Sequence, residues 1–311
     1  MKGIFVYSED IAVTKQLLNI GRSLADALQV NVTALALNET ETDTAGLIAR
    51  GAEKIIALSG GNPWVESYAE SIAECIAKEN PMLVLVGGTM RGKDVAARIA
   101  AWHSRGLVNS AMSIEVVERK LETKRMLYGG LAVCTEELSE GCIVTIDPRT
   151  YEEAAADSLR SGNVVSCTAK SNDAVIVGGV CPIVRERADL ANAEKIICVG
   201  RGLSSQSDMK LVEDLAEKIG AEIGCSRSIA EDYHWLPTES YIGLSGQKVK
   251  PQLYLSIGIS GQVQHIVGAR DARVIVAIDK NEKAPIFSAA DYGIVGDLYE
   301  IVPKLIEKLG K

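Results

Sequence analysis

The sequence predicts an α/β protein with two domains, each built on a mostly parallel, doubly wound β-sheet. Aromatic residues make up only 5% of the chain and hydrophobic residues 47%, so the cores must consist mainly of aliphatic side chains. Short apolar runs of strand length alternate with segments of helical periodicity, which indicates successive βαβ units. This alternation begins near the N-terminus and begins again near Lys195. The 311 residues are enough for two domains of ordinary size.

The first half of the chain carries four predicted strands of the fully buried type. Their apolar runs are continuous, as expected for a parallel sheet that is covered on both faces. The predicted strands are residues 3–7, 32–37, 54–59 and 82–86, and the predicted helices are residues 12–28, 42–50, 64–78 and 92–102. After about Ser110, the strand-like segments 113–117, 124–131 and 142–146 follow one another without helices between them. We expect these three segments to be antiparallel additions to the first sheet.

The second half begins with a buried strand at residues 195–199, followed by a glycine turn at residues 200–202. A helix is predicted over residues 207–218, and Gly220 suits its C-cap. Later predicted elements are strands at residues 253–259 and 273–278, a short helix at residues 261–267 and a terminal helix within residues 296–309. We place the domain boundary in the polar stretch 185–192, which gives domains of residues 1–186 and 187–311.

Charge and composition exclude several classes of function. The net charge is −8 and basic residues are scattered, which argues against a nucleic-acid-binding surface. No apolar run approaches the roughly 20 residues that a membrane helix needs, so we expect no membrane insertion. The N-terminus has no basic region and no cleavage motif, which predicts a cytoplasmic protein. The seven cysteines include no CxxC pair, so we expect reduced thiols and no metal site.

Residues 87–94 match most of a phosphate-binding loop. Gly87, Gly92 and Lys93 fit the G-x-x-x-x-G-K pattern between a predicted strand and a predicted helix. The last position departs from the pattern, because Asp94 stands where a Ser or Thr hydroxyl should bind Mg²⁺. A carboxylate is also ordinary near a helix N-terminus. A strand–turn–helix corner is the favoured interpretation, and an ATP-using enzyme built on residues 87–94 is the alternative.

Two further glycine turns in the second half follow predicted strands. The turn at residues 200–202 lacks the third glycine of the dinucleotide-binding fingerprint, since Ser205 takes its place. In the other turn, residues 260–261 could offer a hydroxyl and unhindered amides to a pyrophosphate, with residues 264–265 in the next helical turn. Arg227 follows another strand and could direct its charge at a cofactor. Each feature also has a structural explanation, as a tight turn, a helix cap or a solvated side chain.

In sequence order these motifs form a set that one family shares. The set comprises Gly200-Arg201-Gly202, Cys225-Ser226-Arg227, Tyr241-Ile242-Gly243, Leu253-Tyr254-Leu255, residues 258–265, residues 284–287 and residues 290–297. It resembles the FAD domain of electron-transfer flavoprotein alpha subunits, densely from about residue 195 to the end. Arg91-Gly92-Lys93 and Tyr128-Gly129-Gly130, with Trp235, resemble the branch linked to carnitine metabolism and nitrogen fixation.

The resemblance implies an electron carrier without substrate turnover of its own. It implies FAD in a Rossmann-like C-terminal domain and a heterodimer with an electron-transfer flavoprotein beta subunit. Acyl-CoA-type dehydrogenases would donate electrons, and a quinone oxidoreductase or another acceptor would receive them. Residues 124–146 would be candidates for the contact with the beta subunit. The resemblance leaves open whether the complex bifurcates electrons, and the residues alone also allow an adenine-nucleotide-binding regulatory module.

The resemblance also implies which residues contact FAD. Arg227 matches an arginine set over the isoalloxazine and His265 a histidine near its pyrimidine side, where both would favour negative charge on the reduced ring. The full set is Arg201, Ser226, Arg227, Gly243, Leu244, Ser245, Ser260, Gly261, Gln262, Val263, Gln264, His265, Asp279, Asp297 and Leu298. No catalytic or metal-binding residue is implied.

The chain departs from the common family pattern in three places. The family commonly has Gln-Thr where this chain has Leu244 and Ser245, and Asn where it has Asp279. Ser256 stands where Ala or Thr is usual. We expect these departures to affect the flavin potential and not the fold.

Overall fold

The computed structural model describes residues 2–62, 64–172, 174, 178–179, 181 and 189–309. Contacts between residues divide the chain into two compact units, one of Met1–Leu127 with Leu131–Cys181 and one of Pro182–Lys311 with Tyr128–Gly130. The predicted boundary between residues 186 and 187 lies outside the described residues, as does Arg185 at the start of the predicted polar stretch. The domain boundary therefore stays a prediction.

The first unit combines a large parallel sheet with a small antiparallel one. Its elements in chain order are β1 (Ile4–Tyr7), α1 (Ile11–Leu28), β2 (Val32–Leu37), α2 (Glu41–Ala49), β3 (Lys54–Ser59), α3 (Ala69–Glu79), β4 (Leu83–Gly87), α4 (Met90–His103), β5 (Leu107–Val108), β6 (Ser113–Val117), β7 (Lys120–Leu127), β8 (Ala132–Glu137), β9 (Cys142–Ile146) and β10 (Asn163–Thr168). Within the described residues, the large sheet has the order β10-β3-β2-β1-β4-β9-β5 and all its pairs are parallel. Strands β6, β7 and β8 pair antiparallel.

Helices cover both faces of the large sheet because successive residues of each buried strand point to opposite sides. Ile4 and Val6 of β1 pack in one core with residues of α1 and α2. Phe5 and Tyr7 pack in the other core with residues of α3 and α4. Asp10 caps α1 by accepting a hydrogen bond from the amide of Ala12 at 2.8 Å. The doubly wound arrangement predicted for this half is confirmed.

The prediction for residues 142–146 is wrong. β9 is not an antiparallel addition but lies parallel to β4 in the large sheet, and all five of its residues are buried. Its continuous apolar run is typical of a buried parallel strand. The absence of a helix directly before it was misleading, because the β6–β8 sheet is inserted into the connection. The antiparallel prediction holds for β6 and for the part of residues 124–131 that lies in β7.

The second unit is one parallel sheet with helices on both faces. Its elements are β11 (Lys195–Val199), α5 (Met209–Ile219), β12 (Glu222–Cys225), β13 (Leu253–Ile257), α6 (Val263–Ala269), β14 (Ile275–Asp279), α7 (Ile286–Ala289), β15 (Tyr292–Val295) and α8 (Leu298–Leu309). Among the described residues the strand order is β12-β11-β13-β14-β15, with every pair parallel. The chain thus extends the sheet to one side of β11 and then to the other, which makes the gap between β11 and β13 a topological switch point.

Side chains of the second unit form a core on each face of the sheet. Ile197 and Leu255 pack with residues of α5 and α8, whereas Ile196 and Tyr254 pack on the opposite face with Ala269 of α6. The predicted C-cap of α5 is confirmed, since Gly220 is left-handed with φ 64° and ψ 50°. The strand predicted at residues 253–259 ends earlier, at Ile257, because Gly258 has φ +62°. No described helix is long and apolar enough to cross a membrane.

Candidate functional site

A cleft of about 760 Å³ opens at the carboxyl edge of the second sheet. The residues that line it follow or end all five strands: Gly200 after β11, Ser226 after β12, Gly258 after β13, Asp279 at the end of β14 and Gly296 after β15. Parallel sheets bind ligands in this position, outside the carboxyl ends of the strands at a switch point. The volume lies in the usual range of about 300–1,000 Å³ for ligand sites.

The cleft brings together most of the residues predicted to contact a cofactor. Those that line it are Arg201, Ser226, Arg227, Leu244, Ser245, Ser260, Gly261, Gln262, Gln264, His265, Asp279, Asp297 and Leu298. Gly243 and Val263 do not line it. Lining residues that the sequence-based prediction did not include are Gly200, Gly202, Ser204, Ser228, Tyr241, Gly258, Ile259, Lys280, Gly296 and Tyr299. Most of these flank a predicted residue by one or two positions.

Two glycine turns form the floor of the cleft at the switch point. The amide of Gly202 donates a hydrogen bond to the carbonyl of Gly258 at 2.9 Å. A Cβ added to Gly202 would lie 2.5 Å from the Cα of Gly258, so only glycine allows the two backbones to approach this closely. Gly261 has φ +77°, and a Cβ there would lie 2.5 Å from the Cα of Ile286. Both glycines are therefore required for the close packing of the turns that line the cleft.

Gly243 supports the cleft from outside its surface. Its amide donates to the carbonyl of Gln247 at 3.1 Å and closes the loop that carries Leu244 and Ser245. A Cβ added to Gly268 in α6 would lie 2.6 Å from the Cα of Gly243, so the loop packs directly on the helix. Leu244 in turn donates its amide to the carbonyl of Gln264 at 2.7 Å. This glycine positions the loop and does not itself face the cleft.

His265 lies in the first turn of α6 and is only 8% exposed. Its Nε2 lies 2.7 Å from the hydroxyl of Tyr254, which is itself buried on β13. Among the described residues, Nδ1 of the same ring has no hydrogen-bond partner. Burial lowers the pKa of His265 to about 4, against a smaller opposing effect of a hydrogen bond with the backbone of Ile242. The ring is therefore neutral at physiological pH, and its Nδ1 is enclosed by the protein.

Arg227 lies at the rim of the cleft with its side chain 66% exposed. Its Nε donates to a carboxylate oxygen of Glu231, one helical turn further on, at 2.5 Å. Hydrogen bonding to Glu231 raises the pKa of Arg227, which therefore keeps its charge. The guanidinium charge is partly balanced before any ligand binds.

Two carboxylates line the cleft, one at the end of β14 and one after β15. Asp279 accepts the amide of Asn281 at 2.8 Å and Asp297 accepts the amide of Tyr299 at 2.8 Å, so each organises the turn after its strand. The hydroxyl of Tyr299 accepts the amide of Ser204 at 2.8 Å, which joins the loops that follow β15 and β11. Carboxylates that keep a free oxygen are acceptors for hydroxyl groups of a ligand.

The N-terminus of α5, which follows the turn at residues 200–202, is capped by the chain's own side chains. Ser205 and Asp208 form a reciprocal capping box in a short 3-10 turn ahead of the helix. The carboxylate of Asp208 accepts the amide of Ser205 at 3.0 Å and the hydroxyl of Tyr299 at 2.6 Å. The chain's own carboxylate therefore holds this position.

The loop at residues 87–94 does not form a phosphate cradle. Thr89 caps α4 by accepting the amide of Gly92 at 2.9 Å, and its hydroxyl donates to Glu9. Lys93, which should reach a phosphate, pairs with Asp147 at 2.8 Å. These contacts agree with a strand–turn–helix corner, the interpretation that the sequence favoured.

Comparison with known proteins identifies the family. A family model described as the electron transfer flavoprotein FAD-binding domain matches residues 189–270, and one described as the electron transfer flavoprotein domain matches residues 9–172. The protein FixB of Escherichia coli O127:H6 is 36% identical over 314 residues, which cover 99% of this chain and 98% of FixB. YdiR of Escherichia coli K12 is 41% identical over 258 residues, which cover 79% of this chain and 80% of YdiR.

The chain belongs to the electron transfer flavoprotein family, as an alpha-type subunit. The family that the sequence motifs predicted is confirmed. FAD is also confirmed as the cofactor, because residues 189–270 match the FAD-binding domain of the family. The cleft at the carboxyl edge of the second sheet belongs to the unit that contains this match.

The residues of the cleft fit an FAD of this family. The glycine turns at the switch point line the cleft where a pyrophosphate would lie, and the carboxylates of Asp279 and Asp297 can accept hydroxyl groups. Of the departures from the family pattern, Ser256 is fully buried and its hydroxyl has no partner among the described residues. Leu244 is 46% exposed and presents an apolar side chain where the family commonly has an amide.

Proposed function

We propose that this chain transfers electrons through an FAD held in the cleft of the second unit. The supporting observation is that loops after all five strands meet at one cleft lined by nearly all of the predicted contact residues. When bound, FAD supplies the capacity to accept and release electrons, which the protein's own side chains lack.

The chain's own residues would bind and orient the cofactor. The turns that contain Gly202 and Gly261 would admit its pyrophosphate to the backbone, and Asp279 and Asp297 would accept its hydroxyl groups. Arg227 would place a positive charge near the ring, reduced in effect by Glu231. His265 would contribute a neutral hydrogen-bonding group on the other side.

The family consists of electron carriers, and its alpha-type subunits pair with a beta subunit. We infer that this chain has no substrate turnover of its own and passes electrons from an acyl-CoA-type dehydrogenase to a quinone oxidoreductase or another acceptor. We further infer a cytoplasmic complex. A flavin bound by the partner in addition to the FAD of this chain would favour electron bifurcation.

The contact surface for the beta subunit would lie on β7 and β8. The original candidate, residues 124–146, included β9, which is buried inside the large sheet. The rest of that range, residues 124–141, exposes apolar side chains, and Leu131 is 75% and Val133 58% exposed. Apolar side chains on an otherwise polar surface are typical of sites that a partner covers.

The test is co-expression with a candidate beta subunit, followed by the visible spectrum and a flavin count of the purified complex. We expect one FAD assigned to this chain. An acyl-CoA dehydrogenase supplied with its substrate should reduce this FAD, which is seen as bleaching of the flavin absorbance. A colourless complex would refute the proposal. Colourless protein with ATPase activity that is lost in Lys93→Ala would instead support the phosphate-binding alternative.

A further inference from the structure

Two loops that are not neighbours in the sheet both line the cleft of the second unit. One follows β11 and contributes Arg201, Gly202 and Ser204, and the other leads from β15 into α8 and contributes Asp297 and Tyr299. Strands β13 and β14 lie between β11 and β15, so the hydrogen bonds of the sheet do not join these two loops directly. The distance between the loops therefore depends on contacts outside the sheet.

The hydroxyl of Tyr299 makes such a contact. It accepts the amide hydrogen of Ser204 at 2.8 Å and donates to a carboxylate oxygen of Asp208, in the short turn before α5, at 2.6 Å. The hydrogen bond from Tyr299 is the main reason that the pKa of Asp208 lies below its ordinary value. The acceptor is therefore a charged carboxylate, and hydrogen bonds to charged acceptors are stronger than those between neutral groups. We call these two hydrogen bonds the Tyr299 bridge.

The Tyr299 bridge is not required to cap α5. Ser205 and Asp208 already form a reciprocal capping box, in which Asp208 accepts the amide of Ser205 at 3.0 Å. Tyr299 adds to the same carboxylate a hydrogen bond from a residue 91 positions away in the chain. What the bridge adds to the fold is thus a connection between the two loops.

The Tyr299 bridge is also able to open. Val212 of α5 and Val302 of α8 are buried in the same core, so packing holds the bodies of the two helices together. Tyr299, in contrast, is 37% exposed, and both hydrogen bonds of its hydroxyl are open to solvent. Water can replace the partners of an exposed hydrogen bond, so the bridge can break while the helices stay packed.

We propose that Tyr299 is a positioning residue whose hydroxyl holds the loops after β11 and β15 together at the cleft and so slows the release of bound FAD. The identity of the ligand rests on the proposed function, whereas the bridge itself is a property of the protein. A ligand that contacts both loops leaves more easily when the loops move independently of each other. Tyr299→Phe tests this directly, because it keeps the ring that lines the cleft and removes only the hydroxyl.

The first measurement is the rate of FAD release from the full chain, purified in complex with its beta subunit. Release after dilution is followed as a rise in flavin fluorescence. We expect Tyr299→Phe to release FAD about three to ten times faster than wild type, which is the range of about one hydrogen bond. Tyr292→Phe is the matched control and should release FAD at the wild-type rate, because Tyr292 is also exposed on β15 but does not line the cleft. Equal release rates of Tyr299→Phe and wild type overturn the proposal.

Two further variants separate the bridge from a general effect on stability. Ser205→Ala removes the hydroxyl half of the capping box and leaves both bonds of Tyr299, so it should lower the melting temperature without faster release. Asp208→Asn removes the charge of the acceptor, so it should speed release in the wild-type background and add little to Tyr299→Phe. If Asp208→Asn speeds release equally in both backgrounds, the carboxylate acts independently of Tyr299 and the proposal is wrong. Faster release in Ser205→Ala, in step with its loss of stability, would also contradict it.

Hydrogen exchange distinguishes a failure of this inference from a failure of the proposed function. The amide of Ser204 loses its acceptor in Tyr299→Phe, so after removal of FAD we expect it to exchange faster in this variant than in wild type. Equal exchange in a complex that does bind FAD overturns the inference and leaves the proposed function intact. A wild-type complex that binds no flavin refutes the proposed function and the retention of FAD with it, whatever the exchange of Ser204.

Discussion

Replacement of Gly261 by alanine tests whether the glycine turn of the cleft is built as described. Gly261 has φ +77°, a conformation that costs an L-residue about 1–2 kcal/mol. The added methyl group would also collide with the backbone of Ile286, 2.5 Å from its Cα. Backbone cannot rotate away as a flexible side chain can, and forced overpacking typically costs about 1–3 kcal/mol more. We expect a total destabilisation of about 2–5 kcal/mol.

Gly220 offers a matched control for this variant. It also has a positive φ, +64°, but a Cβ there would meet no atom within 4 Å. Gly220→Ala should therefore cost only the conformational term of about 1–2 kcal/mol. The difference between the two variants isolates the collision with Ile286. Gly220 lies at the end of α5, outside the cleft, so its variant should also bind FAD normally.

The assay is urea-induced unfolding of both variants and wild type, together with FAD affinity by flavin fluorescence. Gly261→Ala should unfold at clearly lower urea than Gly220→Ala and should lose FAD affinity that Gly220→Ala retains. Equal stability of the two variants would show that the turn relaxes around the methyl group. Normal FAD binding by a folded Gly261→Ala would show that FAD binding does not depend on the conformation of this turn.

Three further predictions concern the groups around the cleft. Arg227→Ala should lower the flavin potential modestly and Glu231→Gln should raise it, because the two residues carry opposite and mutually balancing charges; shifts of the same sign in redox titration would contradict this. Ser245→Ala and Ser245→Thr should shift the potential in opposite directions by about 10–30 mV, the range of one neutral hydrogen bond in a two-electron couple, whereas altered melting at equal potential would indicate a structural role only. The pKa of His265 is about 4 in the folded protein and 6.5 in the unfolded chain. Between these values the native state binds fewer protons than the unfolded state. The contribution of His265 to the free energy of unfolding is therefore fully present above pH 6.5 and is lost as the pH falls. Urea unfolding should therefore show wild type losing up to about 1.4 kcal/mol per pH unit relative to His265→Gln as the pH falls from 6.5 toward 4, and parallel pH profiles would contradict the burial of a neutral ring.

Continuous apolar runs made most of the fold predictable. Strands such as β2 and β3 appear at the predicted residues, because an isolated run of strand length between helical segments has few other interpretations. β10 was missed, since its side chains are largely exposed and half of them are polar, so the run lacks a core signal. The strand β9 was predicted at the right residues, but as an antiparallel strand and not as a parallel neighbour of β4. Strand pairing depends on where the chain returns after the inserted β6–β8 sheet, and a local pattern does not contain that information.

The cleft was predictable as far as its residues form motifs. Gly261 and His265 were identified because they belong to a glycine turn followed by a helix, and the structure brings them to the same cleft. The role of Glu231 depends on a contact made along a short helical turn, and this residue belongs to no distinctive motif. Gly243, also predicted to contact the ligand, lies in a loop that packs closely on Gly268 of α6, and its contact with a ligand stays a prediction. A motif identifies which residues are constrained, and packing decides whether the constraint comes from a ligand or from the fold.

The switch points of the two parallel sheets show the same contrast between a ligand site and a packed corner of the fold. In the first unit the corner between β1 and β4 has the more complete nucleotide-binding motif, but the chain's own side chains fill it: Thr89 binds Glu9 and Lys93 binds Asp147. In the second unit the corner between β11 and β13 has an incomplete motif, yet a cleft opens there among the loops that follow the strands. An open cleft can admit a ligand, whereas a corner occupied by the chain's own side chains must first rearrange. We therefore expect the ligand at the corner with the weaker motif.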